Sequence, residues 1–192
     1  TRGSETLIPN GSYVLREGDH IHVTAQADDL ARFMKNLQIS THPVRQTMIV
    51  GGGRVSLHLA RLLLRAGISV KIIEQDAARC IELAGLLPKA SIIHGDGTDR
   101  DLLDEEGLAT CGAVVALTGM DEENILISLY VRKSFPRVKV VTKVNRASFQ
   151  SILSALDVGS VYNSRHSASN LICRYVRAMQ NSVGSKVETL YK

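Results

Sequence analysis

From residue 47 onward, short runs of β-branched apolar residues alternate with longer stretches in which apolar residues recur at helical spacing. This alternation predicts a parallel sheet covered by helices on both faces. The predicted strands are 47–50, 69–73, 91–94, 113–117, 138–142 and 160–162. Their starts recur about every 22 to 25 residues, the length of one strand, one helix and two short loops. The sequence therefore predicts an α/β fold with a Rossmann-like, doubly wound, six-stranded parallel sheet.

Polar residues stand where most of the helices between these strands are expected to begin. The predicted helices open near Arg54, Asp76, Asp99, Asp121 and Asn145. Asp and Asn at such positions accept hydrogen bonds from free N–H groups of the first helical turn. Gly67 ends the first helix, because glycine accepts the left-handed conformation found at helix C-termini. The ligand site of this fold is expected at the carboxyl ends of the strands, near the first and the fourth, where the strand order reverses.

A last helix is predicted over residues 167–179. Its apolar positions share one face at helical spacing, and they are Leu171, Ile172, Tyr175, Val176 and Met179. This face either packs back on the sheet of its own chain or contacts another molecule, and the sequence leaves both interpretations open.

The first 46 residues follow a different pattern. Two strand-like segments, 13–15 and 20–23, are joined by polar residues 16–19 that indicate a turn. They predict a β-hairpin, which is marginally stable alone and is therefore expected to belong to a β-rich lobe. Residues 26–46 are typical of a connector, with a short helix at 28–37.

Composition narrows the class of protein. The 192 residues suffice for one well-cored domain and a short appendage. The net charge of +4 is modest, and aromatic residues make up only 4 %, so nucleic-acid binding is not expected. The three cysteines are far apart and form no CxxC pair, which is typical of a reducing compartment. The chain has no initiator Met and is expected to be a piece of a longer polypeptide.

The strongest chemical signal is a glycine turn between the first strand and the first helix of this sheet. The turn runs Gly51, Gly52, Gly53, Arg54, Val55, Ser56. Glycines here let the backbone approach a pyrophosphate closely, while the helix N-terminus offers free N–H groups and a favourable dipole. Ser56 takes the third glycine position of the GxGxxG pattern, where glycine or alanine is usual.

An acidic residue supports the same interpretation. Glu74 ends the second strand, about 20 residues after the glycine turn. A carboxylate at this position accepts hydrogen bonds from the ribose hydroxyls and repels a 2′-phosphate. The sequence therefore favours NAD, or an adenine nucleotide with an unmodified ribose, over NADP.

Further candidate residues follow the third, fourth and fifth strands. We assign Asp96 to the base end of the ligand and Leu117 with Thr118 to its ribose-phosphate end. Asp99 and Asp121 stand in the same loops and are equally explained as helix caps. Lys143 is either a cation directed at a phosphate or a solvated side chain.

Metal and catalytic interpretations find little support in the sequence. His20 and His22 share one face of a predicted strand without an evident third ligand. No Ser, His and Asp arrangement can be proposed from the spacing. We therefore predict no metal ligands and no catalytic residues. The alternative is a fragment of an NAD-dependent oxidoreductase, which the short segment after the last helix and the lack of an evident general acid disfavour.

Taken together, these motifs resemble the RCK or KTN domain of potassium transport regulators. The most specific motifs are Gly95-Asp96-Gly97-Thr98-Asp99 and Thr118-Gly119-Met120-Asp121-Glu122-Glu123-Asn124. The likeness covers about three quarters of the chain. Ser56 and Gly97 depart from the family pattern, but neither removes a charged contact.

The resemblance implies a cytoplasmic, non-enzymatic regulator at the inner face of a potassium-translocating membrane subunit, binding NAD(H) or ATP/ADP. The residues implied to touch the nucleotide are Gly51, Gly52, Gly53, Arg54, Val55, Glu74, Asp96, Leu117, Thr118 and Lys143. The resemblance also implies a homo-oligomer, possibly a ring, whose dimers pair through the helix at 167–180.

The resemblance further implies how the chain is divided. Residues 1–26 are expected to end a preceding C-terminal lobe, 27–46 to form a linker, and 47–182 to form the nucleotide-binding domain. Residues 183–192 are expected to begin the next lobe. The whole would be the second half of a tandem repeat.

Overall fold

The computed structural model describes residues 8, 10–19, 21, 23, 25–37, 43–149, 153 and 156–182. The chain divides into two compact units, residues 1–42 and 43–192. The larger unit contains all the strands of the described structure, and it holds the candidate site.

A six-stranded parallel sheet forms the centre of the larger unit. Its strands are β1 (Gln46–Val50), β2 (Ser69–Glu74), β3 (Ser91–His94), β4 (Ala113–Ala116), β5 (Lys139–Lys143) and β6 (Ser160–Tyr162). They are ordered β3-β2-β1-β4-β5-β6, so the chain reverses its winding between β1 and β4. This is the predicted doubly wound sheet, and each predicted strand lies within one residue of an observed one at both ends.

Helices connect the strands. They are α1 (Ala27–Asn36), α2 (Arg54–Arg65), α3 (Ala77–Leu86), α4 (Arg100–Glu105), α5 (Asp121–Ser134) and α6 (Ser164–Ser182). Short 3-10 turns lie at Leu108–Thr110 and Ala147–Phe149. The predicted starts of α2 to α5 are confirmed, and Gly67 has the left-handed φ of 77° expected after α2. Of the helix predicted near Asn145, the described residues show the 3-10 turn and a helical Leu153, and the rest lies outside the described residues.

Side chains alternate between the two faces along each strand, and helices bury both faces of the central strands. Met48 and Val50 belong to one apolar cluster, which α4 and α5 cover with residues such as Leu103 and Ile127. Ile49 belongs to the opposite cluster, under α2 and α3. The end of β1 is therefore held from both sides, which gives the glycine turn after it a rigid base.

The last helix does not pack on the sheet through its apolar face. Leu171, Ile172, Tyr175, Val176 and Met179 are 47–66 % exposed. The alternative that this face packs back on its own sheet is therefore wrong for the chain by itself. None of the helices that the structure describes is both long and apolar enough to cross a membrane.

The smaller unit confirms the predicted connector helix as α1, but the hairpin prediction is wrong for its described part. Residues 13–15 form no strand, and His20 and His22 lie outside the described residues. The turn between the two segments is present, since the amide of Asp19 donates to the carbonyl of Arg16 at 3.1 Å. A two-stranded ribbon without a further strand or a helix against it is marginal, which explains a turn without its strands.

Candidate functional site

A cleft of about 330 Å³ opens at the carboxyl ends of β1, β2 and β4. Most of the predicted site residues line it, namely Gly51, Gly52, Gly53, Glu74, Asp96, Leu117, Thr118 and Lys143. Arg54 and Val55 are not part of the lining and form the first turn of α2 beside it. Residues distant in sequence thus meet at the point where the strand order reverses, as expected for a doubly wound sheet.

Gly51 has a backbone conformation and a backbone contact that both require glycine. Gly51 has a φ of 97°, and its amide donates to the carbonyl of Ile73 at 2.8 Å. A Cβ on Gly51 would lie 2.8 Å from the carbonyl oxygen of Leu117. By contrast, no heavy atom lies within 4 Å of a Cβ built on Gly53. The turn is therefore closed against β4 at Gly51 and open at Gly53, where α2 begins.

Glu74 is joined to the glycine turn. Its Oε2 accepts the amide of Gly52 at 2.6 Å, and its Oε1 accepts the amide of Asp76 at 2.9 Å. A Cβ on Gly52 would lie 2.8 Å from that Oε2 atom. A carboxylate has about four acceptor positions, so two remain for the hydroxyl groups of a ligand.

Sequence reasoning missed a hydrogen bond that fixes the carbonyl side of Gly52. Arg79 Nε donates to the carbonyl oxygen of Gly52 at 2.7 Å, and the Arg79 guanidinium also pairs with Glu82 at 2.6 Å. The peptide groups on either side of Gly52 are thus held, one by Glu74 and one by Arg79. The sequence gives no signal for this contact, because an arginine in the first turn of a helix is ordinarily solvated.

The loop after β3 is ordered by its own side chains. Asp96 Oδ1 accepts both the amide and the hydroxyl of Thr98, each at 2.8 Å. The backbone hydrogen bond, followed by the hydroxyl, lowers the pKa of Asp96 below its ordinary range. Asp99 caps α4 by accepting the amide of Asp101 at 3.0 Å, which confirms the capping interpretation. A side chain at Gly97 would collide with Val50, so this family departure suits the local packing.

A buried amide holds the opposite wall of the cleft. Asn124 is fully buried; its Oδ1 accepts the amide of Thr118 at 2.8 Å, and its Nδ2 donates to the carbonyl of Lys143 at 3.1 Å. Lys143 Nζ donates to the carbonyl of Thr118 at 2.6 Å. Lys143 is therefore neither simply solvated nor unconstrained, and its ammonium lies in the cleft.

Asp121 is not the cap of α5, so this interpretation was wrong. The N-cap is Met120, whose side chain makes no capping bond. Asp121 is 5 % exposed, and its carboxylate accepts the amides of Asn145 at 3.0 Å and Arg146 at 2.9 Å. The carboxylate turns away from its own helix because these two amides follow β5 and lie against α5.

Other lining residues flank the predicted ones at the strand ends. They are Val50, Ile73, Gln75, Gly97, Thr98, Gly119, Met120 and Glu123. The sequence indicates these residues only because they are adjacent to the predicted site residues. Three carboxylates, those of Glu74, Asp96 and Glu123, line the cleft together with the ammonium of Lys143. An anionic group of a ligand would therefore be held by Lys143 and by the N-terminus of α2.

The strand order 3-2-1-4-5-6, the glycine turn after β1 and the acid at the end of β2 define a domain of the Rossmann-like class. Residues 47–164 match the sequence model of the TrkA-N domain. The chain belongs to the TrkA-N domain family, which confirms the resemblance found in its motifs.

Curated relatives match nearly the whole chain. The Trk system potassium uptake protein TrkA homolog of Archaeoglobus fulgidus is 30 % identical over 187 residues, which are 97 % of this chain and 42 % of the relative. The Trk system potassium uptake protein TrkA of Halomonas elongata is 28 % identical over 176 residues, covering 92 % of this chain and 38 % of the relative. This chain therefore spans about two fifths of the length of these curated relatives.

Solved structures share the fold. The GsuK RCK domain has 18 % identity and a TM-score of 0.62, covering 81 % of this chain and 33 % of the other. The AMP-bound Kef CTD of Shewanella denitrificans has 22 % identity and a TM-score of 0.57, covering 71 % and 83 %. The GsuK channel bound to NAD has 17 % identity and a TM-score of 0.54, covering 69 % and 25 %. At these identities the likeness concerns the fold alone.

Proposed function

We propose that this chain is a nucleotide-binding regulatory module of a potassium uptake system, and that its cleft takes NAD(H) or ATP/ADP and not NADP. The observation that carries the proposal is the place of Glu74. Its carboxylate ends β2 beside the glycine turn, in the same cleft as that turn, with acceptor positions left over. This is where a Rossmann-like domain holds the ribose of its nucleotide.

Charge and geometry support an assignment of each part of the nucleotide. The ribose hydroxyls donate to Glu74, and the same negative charge repels a 2′-phosphate. The phosphates lie on the glycine turn, where Gly53 leaves open space and the amides of Arg54 and Val55 begin α2. Leu117, Thr118 and the ammonium of Lys143 complete the phosphate end.

The base end of the nucleotide is assigned to the loop after β3. Asp96 lines the cleft there, and the two bonds from Thr98 fix the position of its carboxylate. Proteins of the same fold support the ligand class, since one is described as bound to AMP and another as bound to NAD.

The partner is a potassium-translocating membrane subunit, and the module works at the cytoplasmic face of the membrane. Relatives named as Trk potassium uptake proteins support this assignment. The exposed apolar face of α6 supports pairing of two copies through residues 167–180, possibly within a ring. Residues 1–26 and 183–192 then belong to lobes on either side of the domain.

Regulation requires no chemistry on the nucleotide. Binding favours one arrangement of the paired domains when the affinity differs between arrangements, and this bias passes to the membrane subunit. Coupling of roughly 1–3 kcal/mol per site is sufficient when several sites act together.

Calorimetric titration of the chain with NADH, NAD, ATP, ADP and NADPH tests the ligand class. At least one nucleotide with an unmodified ribose should bind more tightly than NADPH. Glu74→Gln should weaken that binding about tenfold or more and narrow the preference over NADPH. Glu105→Gln, a charge-matched change on the exposed side of α4, should leave both unchanged.

Three results would overturn the proposal. The first is that none of NADH, NAD, ATP and ADP binds. Binding of NADPH as tight as that of NADH and ATP would remove the assigned role of Glu74. Turnover of bound NADH with a small carbonyl substrate would instead favour the oxidoreductase alternative.

A further inference from the structure

Two buried polar side chains near the N-terminal end of α5 hold the ends of neighbouring strands. Asn124 binds Thr118 and Lys143, which line the cleft, while Asp121 binds the amides of Asn145 and Arg146 just beyond β5. Asp121 and Asn124 are three residues apart and share one side of the helix. The first turn of α5 therefore connects the cleft wall to the segment that follows β5.

The same segment holds the start of α6. The side chain of Asn145 accepts the hydroxyl of Ser164 at 2.8 Å through Oδ1, and its carbonyl accepts Nδ2 of Asn163 at 3.3 Å. Asn163 Oδ1 in turn accepts the amide of His166 at 3.0 Å and so caps α6. The first turn of α5 and the hydrogen bonds on either side of it thus link the cleft wall to Asn145 and to the first turn of α6.

These bonds join the base of α6 to the part of the chain that carries the cleft. The apolar residues of the helix, among them Leu171 and Tyr175, are exposed and do not fix it against the sheet. A small shift of the segment at Asn145 therefore changes where the far end of the helix points. A rise of about 1.5 Å per residue over the 19 residues of α6 makes it a lever of about 28 Å.

We propose that Asp121 and Asn145 are positioning residues that couple nucleotide binding in the cleft to the orientation of α6. A ligand that binds Thr118 and Lys143 shifts Asn124 and the first turn of α5. Asp121 passes this shift to Asn145 and, through it, to Ser164. The inference rests on the proposed function, since it requires a nucleotide in the cleft. It adds the route by which that nucleotide alters the helix assigned to dimer pairing.

Spin labels on α4 and α6 measure the orientation directly. Cys173 is the exposed native cysteine and lies outside the apolar face of α6, while Cys80 and Cys111 are buried. A second label at Glu105→Cys reports from the rigid domain. The distance between the two labels is measured in labelled chain diluted with unlabelled chain, without nucleotide and with saturating NADH or ATP, and nucleotide affinity is titrated in parallel.

The nucleotide should shift the distance distribution in the parent chain. Ser164→Ala and Asn145→Ala each remove the hydrogen bond between these two side chains at the base of α6, and neither residue lines the cleft. Both should abolish the shift, while the nucleotide dissociation constant changes by less than about threefold. Ser164→Thr, which keeps the hydroxyl, should restore the shift. Ser169→Ala makes the same chemical change five residues further along α6 and should leave the shift as it is.

The outcomes separate this inference from the proposed function. Nucleotide binding without a shift in the parent chain overturns the coupling alone, and so does a shift that persists in Ser164→Ala and Asn145→Ala. Failure of NADH, NAD, ATP and ADP all to bind overturns the proposed function and the coupling with it. If Ser164 only stabilised the fold, Ser164→Ala would lower the stability of the chain and would not abolish the distance shift while leaving the nucleotide affinity unchanged.

Discussion

The Oε2 atom of Glu74 lies 2.6 Å from the backbone nitrogen of Gly52, so the residue assigned to the ribose also fixes the glycine turn. Its other oxygen holds the amide of Asp76, at the N-cap of α3. One carboxylate therefore ties the turn after β1 to the turn after β2. Any change of Glu74 acts on the fold and on the ligand contact together, and experiments must separate these effects.

Glu74→Ala should lower the free energy of unfolding by about 1–3 kcal/mol, because the amide of Gly52 in a partly buried turn and the exposed amide of Asp76 lose a charged acceptor. Urea unfolding followed by circular dichroism measures this loss. Glu105→Ala on α4 is the control and should stay within about 0.5 kcal/mol of the parent. A Glu74→Ala chain as stable as the parent would mean that water replaces the carboxylate at no cost.

Alanine at two positions of the glycine turn should separate folding from binding. Gly51→Ala should destabilise the fold by at least about 2 kcal/mol, because its φ is positive and the new Cβ meets the carbonyl of Leu117. Gly53→Ala meets no atom and should fold with a loss of about 1 kcal/mol or less. It should nevertheless weaken nucleotide binding, because its methyl group occupies the open space assigned to the phosphates.

Urea unfolding and calorimetric titration of both variants test these expectations. Equal loss of stability in Gly51→Ala and Gly53→Ala would contradict the description of the turn. Unchanged nucleotide affinity in a folded Gly53→Ala chain would place the phosphates elsewhere.

The sheet could be predicted because its central strands are buried on both faces and appear as continuous apolar runs, as in Met48-Ile49-Val50. The cleft followed from the same pattern, since the strand ends locate the loops that line it. The hairpin predicted from segments 13–15 and 20–23 could not be judged in this way, because local propensity does not show whether a strand has a partner.

Contacts between side chains and backbone groups distant in sequence were the part that the sequence could not supply. Arg79 meets the carbonyl of Gly52 from 27 residues away, and Asp121 meets the amides of Asn145 and Arg146 from the neighbouring strand end. Asp121 has the residue type and the sequence position of a helix cap. Only the placement of α5 against β5 directs its carboxylate to the amides that follow β5. Such pairings depend on tertiary packing and not on spacing along the chain.

Acid should destabilise the domain partly through Asp96. Thr98 lowers the pKa of Asp96 in the folded state, so the unfolded state takes up the proton first as pH falls. The stability from this group is complete above the unfolded pKa of about 3.9 and is lost as pH falls through the lower folded value. Asp96→Asn should therefore lose less stability than the parent between about pH 5 and pH 3.

Urea unfolding at a series of pH values measures this difference, with Glu105→Gln as the control. A part of the acid-induced loss should remain in Asp96→Asn, because hydrogen bonding to Arg132 also lowers the pKa of Asp157. Identical pH dependence in Asp96→Asn and the parent would show that the bonds from Thr98 do not stabilise the charged form.

Two buried serines offer opposite outcomes for the same substitution. Ser56, at the third glycine position of the turn, is fully buried on α2, and its hydroxyl has no hydrogen-bond partner among the described residues. Ser128 is equally buried on α5, but its hydroxyl is hydrogen-bonded to that of Thr142 at 2.6 Å. Since an unpaired buried hydroxyl is costly and alanine favours helix, Ser56→Ala should stabilise the chain by about 1 kcal/mol.

Ser128→Ala should instead cost about 1 kcal/mol, because the hydrogen bond between the two hydroxyls is lost in the core, although Thr142 keeps its bond to the carbonyl of Val158 at 2.6 Å. Urea unfolding of both variants under one set of conditions makes the comparison direct, since residue type, burial and helical environment are matched. Destabilisation by Ser56→Ala as large as that by Ser128→Ala would mean that the Ser56 hydroxyl is paired, for instance through a buried water. In that case the packing of α2 against β1 would depend on the hydroxyl, and the departure at this position would be a structural requirement.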